Sequence, residues 1–233
     1  MSEQPSVLVV TGTGTEIGKT IVTAALACLL RDQGSTVAVV KPVQTGLAPG
    51  EPGDIEEVRQ RVGDDGVDCH EHVRLPHPLA PDAAARFAGV DLPPVSRHAD
   101  QIELLAASSD VVLVEGAGGL LVRLDGRGGT LADLAIALGD KGVSVGVVLV
   151  VTAGLGTLNH TALTAEALRA RDLSLVGVII GSWPAEPDLA ATSNLGDLPE
   201  VAGAPLLGRI PEGVGALAPE EFRLQARCWL RLP

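Results

Sequence analysis

Residues 9–30 read VVTGTGTEIGKTIVTAALACLL: an apolar run, a loop of glycines and threonines, and then Lys19 and Thr20 at the start of an apolar helical pattern. The loop has more glycines than a simple turn between a strand and a helix needs. In phosphate-binding loops, backbone N–H groups surround phosphate oxygens, the lysine reaches the β- and γ-phosphates, and the hydroxyl binds the metal ion. The stretch therefore predicts a buried strand, a triphosphate-binding loop and a helix.

The loop departs from the standard pattern G-x-x-x-x-G-K-[ST], because Thr13 stands where that pattern has a glycine, between Gly12 and Gly14. A dinucleotide fingerprint is a second interpretation, but it needs an acidic residue about 20 residues further on to hold the ribose. The chain has Lys41 in that place. The sequence thus favours the triphosphate loop, with an ordinary glycine turn and an incidental lysine as the third interpretation.

The chain is acidic overall, with 17 Lys and Arg against 29 Asp and Glu and a net charge of −12. Such a surface repels phosphate backbones and anionic lipid, and an aromatic content of 2% leaves few platforms for stacking bases. No apolar run is long enough for a membrane span, and the N-terminus lacks the basic flank of a signal peptide. Three widely spaced cysteines fit a reduced compartment. We therefore expect a cytoplasmic protein that binds neither nucleic acid nor membrane.

Six short runs rich in β-branched residues recur between helical patterns. Because these runs are apolar almost throughout, they predict strands buried on both faces, as in a parallel sheet between two layers of helices. We expect residues 1–233 to form a single P-loop NTPase-like domain of the α/β class, with a doubly wound, mainly parallel sheet flanked by helices. The predicted strands are 6–10, 36–40, 110–114, 143–151, 173–180 and 204–210, and the predicted helices include 157–172 and a final amphipathic helix around Phe222 and Trp229.

The segment 47–100 gives weaker signals. It is Pro-rich, with helical patterns only around 54–63 and 81–88, so we predict loops and short helices that cap one edge of the sheet. Within it, the sequence CHEH at 69–72 lacks zinc-type spacing and is predicted to be a solvated loop.

Residues that directly follow strands are the candidates for chemistry, since ligands of doubly wound folds bind at the carboxyl ends of the strands. Magnesium prefers oxygen ligands, and Glu115 at the end of an apolar strand is placed to provide one beside Thr20. Asp54 fits a third ligand, but it also fits a helix N-cap with Glu57 as its capping-box partner. Lys41 follows the second strand, where it would balance the charge of bound anions.

Six motifs together resemble the dethiobiotin synthetase family from the first strand to about residue 212: GTGTEIGKT, KPVQTG, GDIEE, VLVEGAGG, GLGTLNH and PLLGRIP. The resemblance implies a homodimeric ligase of biotin biosynthesis that uses ATP, magnesium and carbon dioxide or bicarbonate. Its small-molecule substrate would be 7,8-diaminononanoate. One amine would capture carbon dioxide as a carbamate, the carbamate would attack the γ-phosphate, and the second amine would displace phosphate to close the ring.

The resemblance also implies site residues, motif by motif. Lys19 and Lys41 would be catalytic, and Thr20, Asp54 and Glu115 would bind magnesium. The nucleotide would contact Glu16, Ile17, Gly18, Lys19, Thr20, Ile21, Asp54, Glu115, Gly116, Ala117, Gly118, Gly181, Ser182, Pro211, Glu212 and Gly213. The diamine would contact Thr15, Lys41, Thr45, Gly118 and Gly119, and Thr157, Leu158 and Asn159 would reach it across the dimer interface.

One departure from the family concerns the nucleotide base. The family commonly has an Asn-Asp pair after the strand at 173–180, whereas this chain has Gly181, Ser182 and Trp183. A carboxamide both donates and accepts hydrogen bonds at a base edge, so its loss predicts weaker selection of ATP over other nucleoside triphosphates.

Two functions of other classes stay open at this point. Chromosome-partitioning and division-site-selecting ATPases are switches that share the loop, but they have an additional lysine early in it, and residues 13–17 contain none. A P-loop amidoligase would carry a glutamine-hydrolysing domain with a nucleophilic cysteine, and none of the three cysteines lies in a nucleophile motif. These differences favour the ligase.

Overall fold

A parallel sheet of seven strands forms the centre of the protein in a computed structural model, which describes residues 5–63 and 67–232. The strands are β1 (Val7–Gly12), β2 (Val37–Lys41), β3 (Gln44–Thr45), β4 (Val67–Glu71), β5 (Arg74–Leu75), β6 (Val111–Glu115), β7 (Val145–Val151), β8 (Leu175–Trp183) and β9 (Leu206–Pro211). The main sheet has the order β4-β2-β6-β1-β7-β8-β9, and every pairing in it is parallel. The short strands β3 and β5 pair with each other.

Helices cover both faces of this sheet. They are α1 (Lys19–Asp32), α2 (Asp54–Val62), α3 (Pro81–Ala88), α4 (Val95–Ala106), α5 (Leu131–Asp140), α6 (Thr157–Arg169), α7 (Leu189–Ala202) and α8 (Pro219–Trp229), with a 3₁₀ turn at Val214–Ala216. Successive side chains of β1 point to opposite faces: Leu8 and Val10 pack with α1, α2 and α8, while Val7 and Val9 pack with α4 and α5. The predicted doubly wound α/β fold is confirmed, and all six predicted strands are present within three residues of their predicted ends.

The segment 47–100 differs from its prediction. Both predicted helices are present as α2 and α3, but the segment also provides β4 and the start of the twelve-residue helix α4. Because β4 lies at the edge of the sheet, where β2 is its one partner among the described residues, its sequence VDCHE needs no continuous apolar run, and periodicity does not reveal it. The CHEH segment is therefore not a solvated loop: Cys69 and His70 lie in β4, and half-buried His72 stacks on buried His98 of α4.

The predicted C-terminal helix is confirmed as α8. Phe222 is fully buried in the core that α8 shares with α1 and β9, and its ring meets Trp229 edge to face, with 5.1 Å between ring centroids. None of the helices in the described part of the chain combines the length and the apolar character needed to cross a membrane. Residues 1–4, which enter the signal-peptide argument, lie outside the described residues.

Candidate functional site

The glycine loop joins β1 to α1. Gly18 caps α1 with φ 91° and Glu16 has φ 58°, so both lie in the left-handed region that few residues adopt. Lys19 is 7% exposed and bends back over the loop, where its Nζ donates to the Gly14 carbonyl at 2.7 Å. Burial, together with the charge of Lys41, lowers the pKa of Lys19. This ammonium and the free N–H groups at the start of α1 form the arrangement that binds phosphate.

Four predicted side chains meet at the carboxyl ends of β2 and β6, and we call them the charged cluster: Thr20, Lys41, Asp54 and Glu115. The Nζ of Lys41 lies 2.9 Å from Oε1 of Glu115 and 2.5 Å from Oδ2 of Asp54. It also donates to the carbonyl of Gly116 at 3.1 Å. The hydroxyl of Thr20 donates to the same Glu115 oxygen at 2.9 Å. Residues far apart in sequence thus converge as the parallel topology predicts.

Burial governs the ionisation of the charged cluster. Burial alone would lower the pKa of Lys41, but the Glu115 and Asp54 carboxylates raise it above its usual value. Burial would raise the pKa of Asp54, but the Lys41 charge lowers it. Burial raises the pKa of Glu115 more than the Lys41 charge lowers it, and the Asp54 charge adds to the rise. Lys19 also lies within Coulombic range of both carboxylates, so two ammonium groups and two carboxylates face the same cavity.

The interpretation of Asp54 as a helix cap is wrong. Gly53 is the N-cap of α2, and its N–H donates to Oε2 of Glu56 at 2.9 Å. The capping box therefore closes one residue earlier than predicted and does not use Glu57. Asp54 stands at the first helical position, from which its carboxylate reaches Lys41.

The glycines after β6 allow two loops to pack together. Gly118 has φ 72°, and a Cβ on Gly119 would lie 3.3 Å from the carbonyl oxygen of Gly12 in the first loop. Gly116 has no room for a Cβ because the side chain of Leu131 packs against it. Packing within the chain therefore requires these glycines, and their contact with the diamine stays a prediction.

A cavity of about 890 Å³ opens over the charged cluster, a size typical of small-molecule sites. The predicted residues that line it are Thr15, Glu16, Gly18, Lys19, Thr20, Ile21, Lys41, Thr45, Asp54, Glu115, Ala117 and Gly118. Residues that sequence reasoning missed also line it: Gln44, Gly46, Leu47, Pro78, Leu79, Ala80, Pro81 and Val122. The motif KPVQTG indicates the neighbourhood of residues 44–46, but nothing in the sequence indicates that residues 78–81, the loop before α3 and its first residue, reach the cavity, because only the folded chain brings them there.

The stretches predicted to contact the base lie beside the phosphate loop but outside the lining of this cavity. The N–H of Glu212 donates to the Trp183 carbonyl at 2.8 Å and so joins the ends of β8 and β9. Gly181 packs directly against the backbone of the loop, and a Cβ on it would collide with the Ile17 carbonyl. Position 181 therefore has no room for an asparagine unless the loop moves. Ser182, Pro211 and Gly213 lie in the same two stretches.

The first turn of α6, residues 157–159, also lies outside the lining of the cavity. Thr157 is buried, Leu158 packs on the core beside α7, and Asn159 is exposed. Their predicted contact with the diamine therefore requires a second copy of the chain and stays a prediction.

Comparisons with known proteins cover nearly the whole chain. Residues 6–216 match the AAA domain family. The ATP-dependent dethiobiotin synthetase of Streptomyces coelicolor is 55% identical over 97% of this chain and 92% of its own length. That of Rhodococcus jostii is 53% identical, over 96% and 94%, and that of Mycolicibacterium vanbaalenii is 48% identical, over 93% and 92%.

Solved structures are similar in fold at much lower identity. A ParA family ATPase from Chlorobium tepidum has a TM-score of 0.56 at 16% identity, with 96% of this chain and 89% of that chain covered. The cell division ATPase MinD of Pyrococcus furiosus has a TM-score of 0.53 at 20% identity, with the same coverage. Likeness at such identity concerns the fold alone and carries no argument for a switch function.

Proposed function

The chain belongs to the family of ATP-dependent dethiobiotin synthetases, which are ligases of biotin biosynthesis. We propose that its cavity is the active site and that it carries out the following reaction. In this reaction 7,8-diaminononanoate, carbon dioxide and ATP give dethiobiotin, ADP and phosphate. One observation carries the proposal: buried Lys41 lies between Glu115 and Asp54, in the same cavity as Lys19 and the phosphate loop. A site with cations at two neighbouring points suits a reaction between two anions.

The proposed reaction has three steps. One amine of the substrate adds to carbon dioxide and loses a proton, which gives a carbamate. A carbamate oxygen attacks the γ-phosphorus, the bond from that phosphorus to the bridging oxygen breaks, and ADP leaves with the electron pair. The second amine attacks the carbonyl carbon of the mixed anhydride, phosphate leaves, and the amine loses a proton as the cyclic urea closes.

The two lysines have separate roles in this scheme. Lys19, at the start of α1, balances the charge of the β- and γ-phosphates, and Lys41, at the end of β2, faces the carbamate. The reacting groups, the carbamate and the triphosphate, carry negative charge throughout the reaction. The chain therefore contributes alignment and positive charge more than proton transfer. Fixed cations in a buried site stabilise developing charge without a cost of reorganisation at the moment of reaction.

The residues of the charged cluster fit a magnesium ion. Thr20 offers a hydroxyl, Asp54 and Glu115 offer carboxylates, and these are the oxygen ligands that magnesium prefers. When bound, magnesium would withdraw charge from the β- and γ-phosphate oxygens.

We further propose that the active form is a homodimer. Leu155 lies two residues before α6 and is 93% exposed, and Leu163 lies within α6 and is 57% exposed. Exposed apolar side chains near one helix favour a protein interface, which would bring residues 157–159 of one copy to the cavity of the other. Sedimentation should give the mass of two chains, and Leu155→Asp combined with Leu163→Asp should give monomers with reduced turnover. Wild-type monomers with full turnover would contradict the proposal.

A direct assay tests the reaction. Purified protein is incubated with the diamine, bicarbonate, magnesium and ATP, and both phosphate and the cyclic urea are measured, with the diamine or bicarbonate omitted in the controls. The proposal expects phosphate and cyclic urea in equal amounts, and neither without the diamine. Phosphate release that ignores the diamine would contradict the ligase and favour an ATPase switch.

A further inference from the structure

We propose that Arg74 is a positioning residue that holds Asp54 in the charged cluster. Arg74 lies in β5, outside every motif that indicated the site, and its side chain is 18% exposed. The inference rests on the proposed function of Asp54 as a magnesium ligand.

The guanidinium of Arg74 uses all of its hydrogen-bonding positions. Nε and Nη2 donate to the two carboxylate oxygens of Glu71 at 2.6 and 2.7 Å, and Nη2 also donates to Oε2 of Glu56 at 3.3 Å. Nη1 donates to the carbonyl oxygens of Glu51 and, at 3.4 Å, of Ala48. A planar fork with five donors fits these five acceptors, whereas a lysine ammonium has only three donors at one point.

These acceptors belong to three pieces of the chain. Glu71 ends β4, where it is the register partner of Lys41 in β2. Glu56 lies in the first turn of α2, and the two carbonyls belong to the loop at 48–51 that precedes this helix. Arg74 therefore ties the loop and the start of α2 to the edge of the main sheet.

The backbone at Gly53 and Asp54 is held between Arg74 and its strand partner. The N–H of Asp54 donates to Oε1 of Gln44 at 3.1 Å, and Gln44 pairs with Arg74 between β3 and β5. A Cβ on Gly53 would lie 3.0 Å from Nη2 of Arg74 and 3.1 Å from Oε1 of Gln44, so the helix start fits closely between them. Glu56 links the two sides, since its Oε2 accepts from both Gly53 and Arg74.

The carboxylate of Asp54 needs such support because it stands at the edge of the cluster. Its side chain is 30% exposed, whereas the Glu115 side chain is 2% exposed and is fixed by the sheet. Without Arg74, the loop at 48–51 and the first turn of α2 lose the hydrogen bonds that tie them to Glu71 of β4, and the carboxylate of Asp54 is held less firmly against movement toward solvent. Outer partners of metal ligands typically change metal affinity by roughly 10- to 100-fold when they are removed.

The test compares two variants, each of which removes an arginine that contacts one end of α2. Arg74→Gln removes the proposed support, and Arg61→Gln is the matched control, because Arg61 anchors the other end of α2 through Glu57 and the Leu217 carbonyl. Binding of Mn²⁺ is measured by electron paramagnetic resonance with a non-hydrolysable ATP analogue, and nucleotide affinity is measured without metal. We expect Arg74→Gln to weaken Mn²⁺ binding by roughly 10- to 100-fold at unchanged metal-free nucleotide affinity, and Arg61→Gln to leave Mn²⁺ binding unchanged.

A double variant separates support of Asp54 from a general loss of stability. If Arg74 acts through Asp54, then Arg74→Gln should weaken Mn²⁺ binding by no more than about twofold when Asp54→Asn is already present. Full additivity, or equal weakening by Arg74→Gln and Arg61→Gln, would overturn the positioning function while the magnesium site stands. Unchanged Mn²⁺ binding in Asp54→Asn alone would overturn the ligand assignment, and the positioning function with it.

A second variant covers the case in which Arg74→Gln does not fold. Gly53→Ala leaves the arginine in place but crowds its contact with the helix start. It should also weaken Mn²⁺ binding and speed amide hydrogen exchange in residues 48–57. Normal metal binding and normal exchange in Gly53→Ala would contradict the proposed support.

Discussion

Replacing Lys41 by methionine is expected to destabilise the fold strongly. Methionine keeps the length of the side chain but removes the ammonium, so Glu115, which is 1% exposed, and Asp54 lose their counter-charge. Removing one partner of a buried ion pair costs about 3–5 kcal/mol. Since 1 kcal/mol corresponds to roughly 2–4 °C in a chain of this size, Tm should fall by about 6–20 °C.

The loss should depend on pH with a defined sign. Burial raises the pKa of Glu115, and removing the Lys41 charge, which opposes that shift, raises it further. A carboxyl group whose pKa is higher in the folded than in the unfolded chain destabilises the fold above its unfolded value of about 4.3, and the penalty disappears as pH falls to that value. The loss in free energy of unfolding caused by Lys41→Met should therefore be larger near pH 8 than near pH 5. Magnesium should restore part of it, because the two carboxylates regain a cation.

Urea unfolding at the two pH values measures this effect, followed by tryptophan fluorescence and circular dichroism. Lys141→Met is the matched control: it removes the one of the three lysines that lies outside the cavity, and its partners Asp100 and Glu103 lie at the surface, so it should cost less than about 1 kcal/mol. Lys41→Met combined with Glu115→Gln should recover much of the loss, because a neutral buried pair is often as stable as a charged one. A cost under about 1 kcal/mol for Lys41→Met, or a cost that is the same at both pH values, would refute the argument.

Three other predictions address the nucleotide. Lys19→Ala should lower turnover by roughly 100-fold or more and weaken nucleotide binding, which steady-state kinetics and equilibrium dialysis measure; near-normal values would remove Lys19 from the site. Gly181→Ala should weaken binding of every nucleoside triphosphate alike, because its Cβ displaces the Ile17 carbonyl, whereas Gly139→Ala, which has open space, should not. Preference for ATP over GTP, CTP and UTP should stay below about 100-fold, since the base contact that the chain lacks is worth roughly 1–3 kcal/mol and backbone groups near residues 211–213 would restore only part of it; a larger preference in dissociation constants would contradict this.

The strands that position the site could be predicted because they are buried on both faces. Residues 7–10 of β1 have helices above and below them and are all apolar, so the sequence alone indicates a buried strand there. The edge strand β4 has no such requirement, since Asp68 is exposed and His70 half-buried. The periodicity of VDCHE does not predict a strand, and the pairing of β4 with β2 is visible only in the folded chain.

The charged cluster could be predicted for a related reason, since parallel strands bring their carboxyl ends to one edge of the sheet. That rule finds Lys41 and Glu115, which end β2 and β6. It does not find Arg74 or Gln44, whose strands have two residues each, too short for any periodic signal. The capping box lies one residue earlier than predicted. Its N-cap is Gly53, and a glycine has no side chain that would mark the cap in the sequence.

The two kinds of basic residue are used where their donors match the acceptors. Only three of the 17 basic residues are lysines, and two of these, Lys19 and Lys41, line the cavity. The three N–H donors of Lys41 face three acceptors, on Glu115, Asp54 and the Gly116 backbone, that converge on one point. The five donors of Arg74 face five acceptors spread over three pieces of chain. A lysine at position 74 would therefore leave some of these acceptors without a donor, and an arginine at position 41 would spread its donors away from the point where the three acceptors of Lys41 converge, although the net charge would not change.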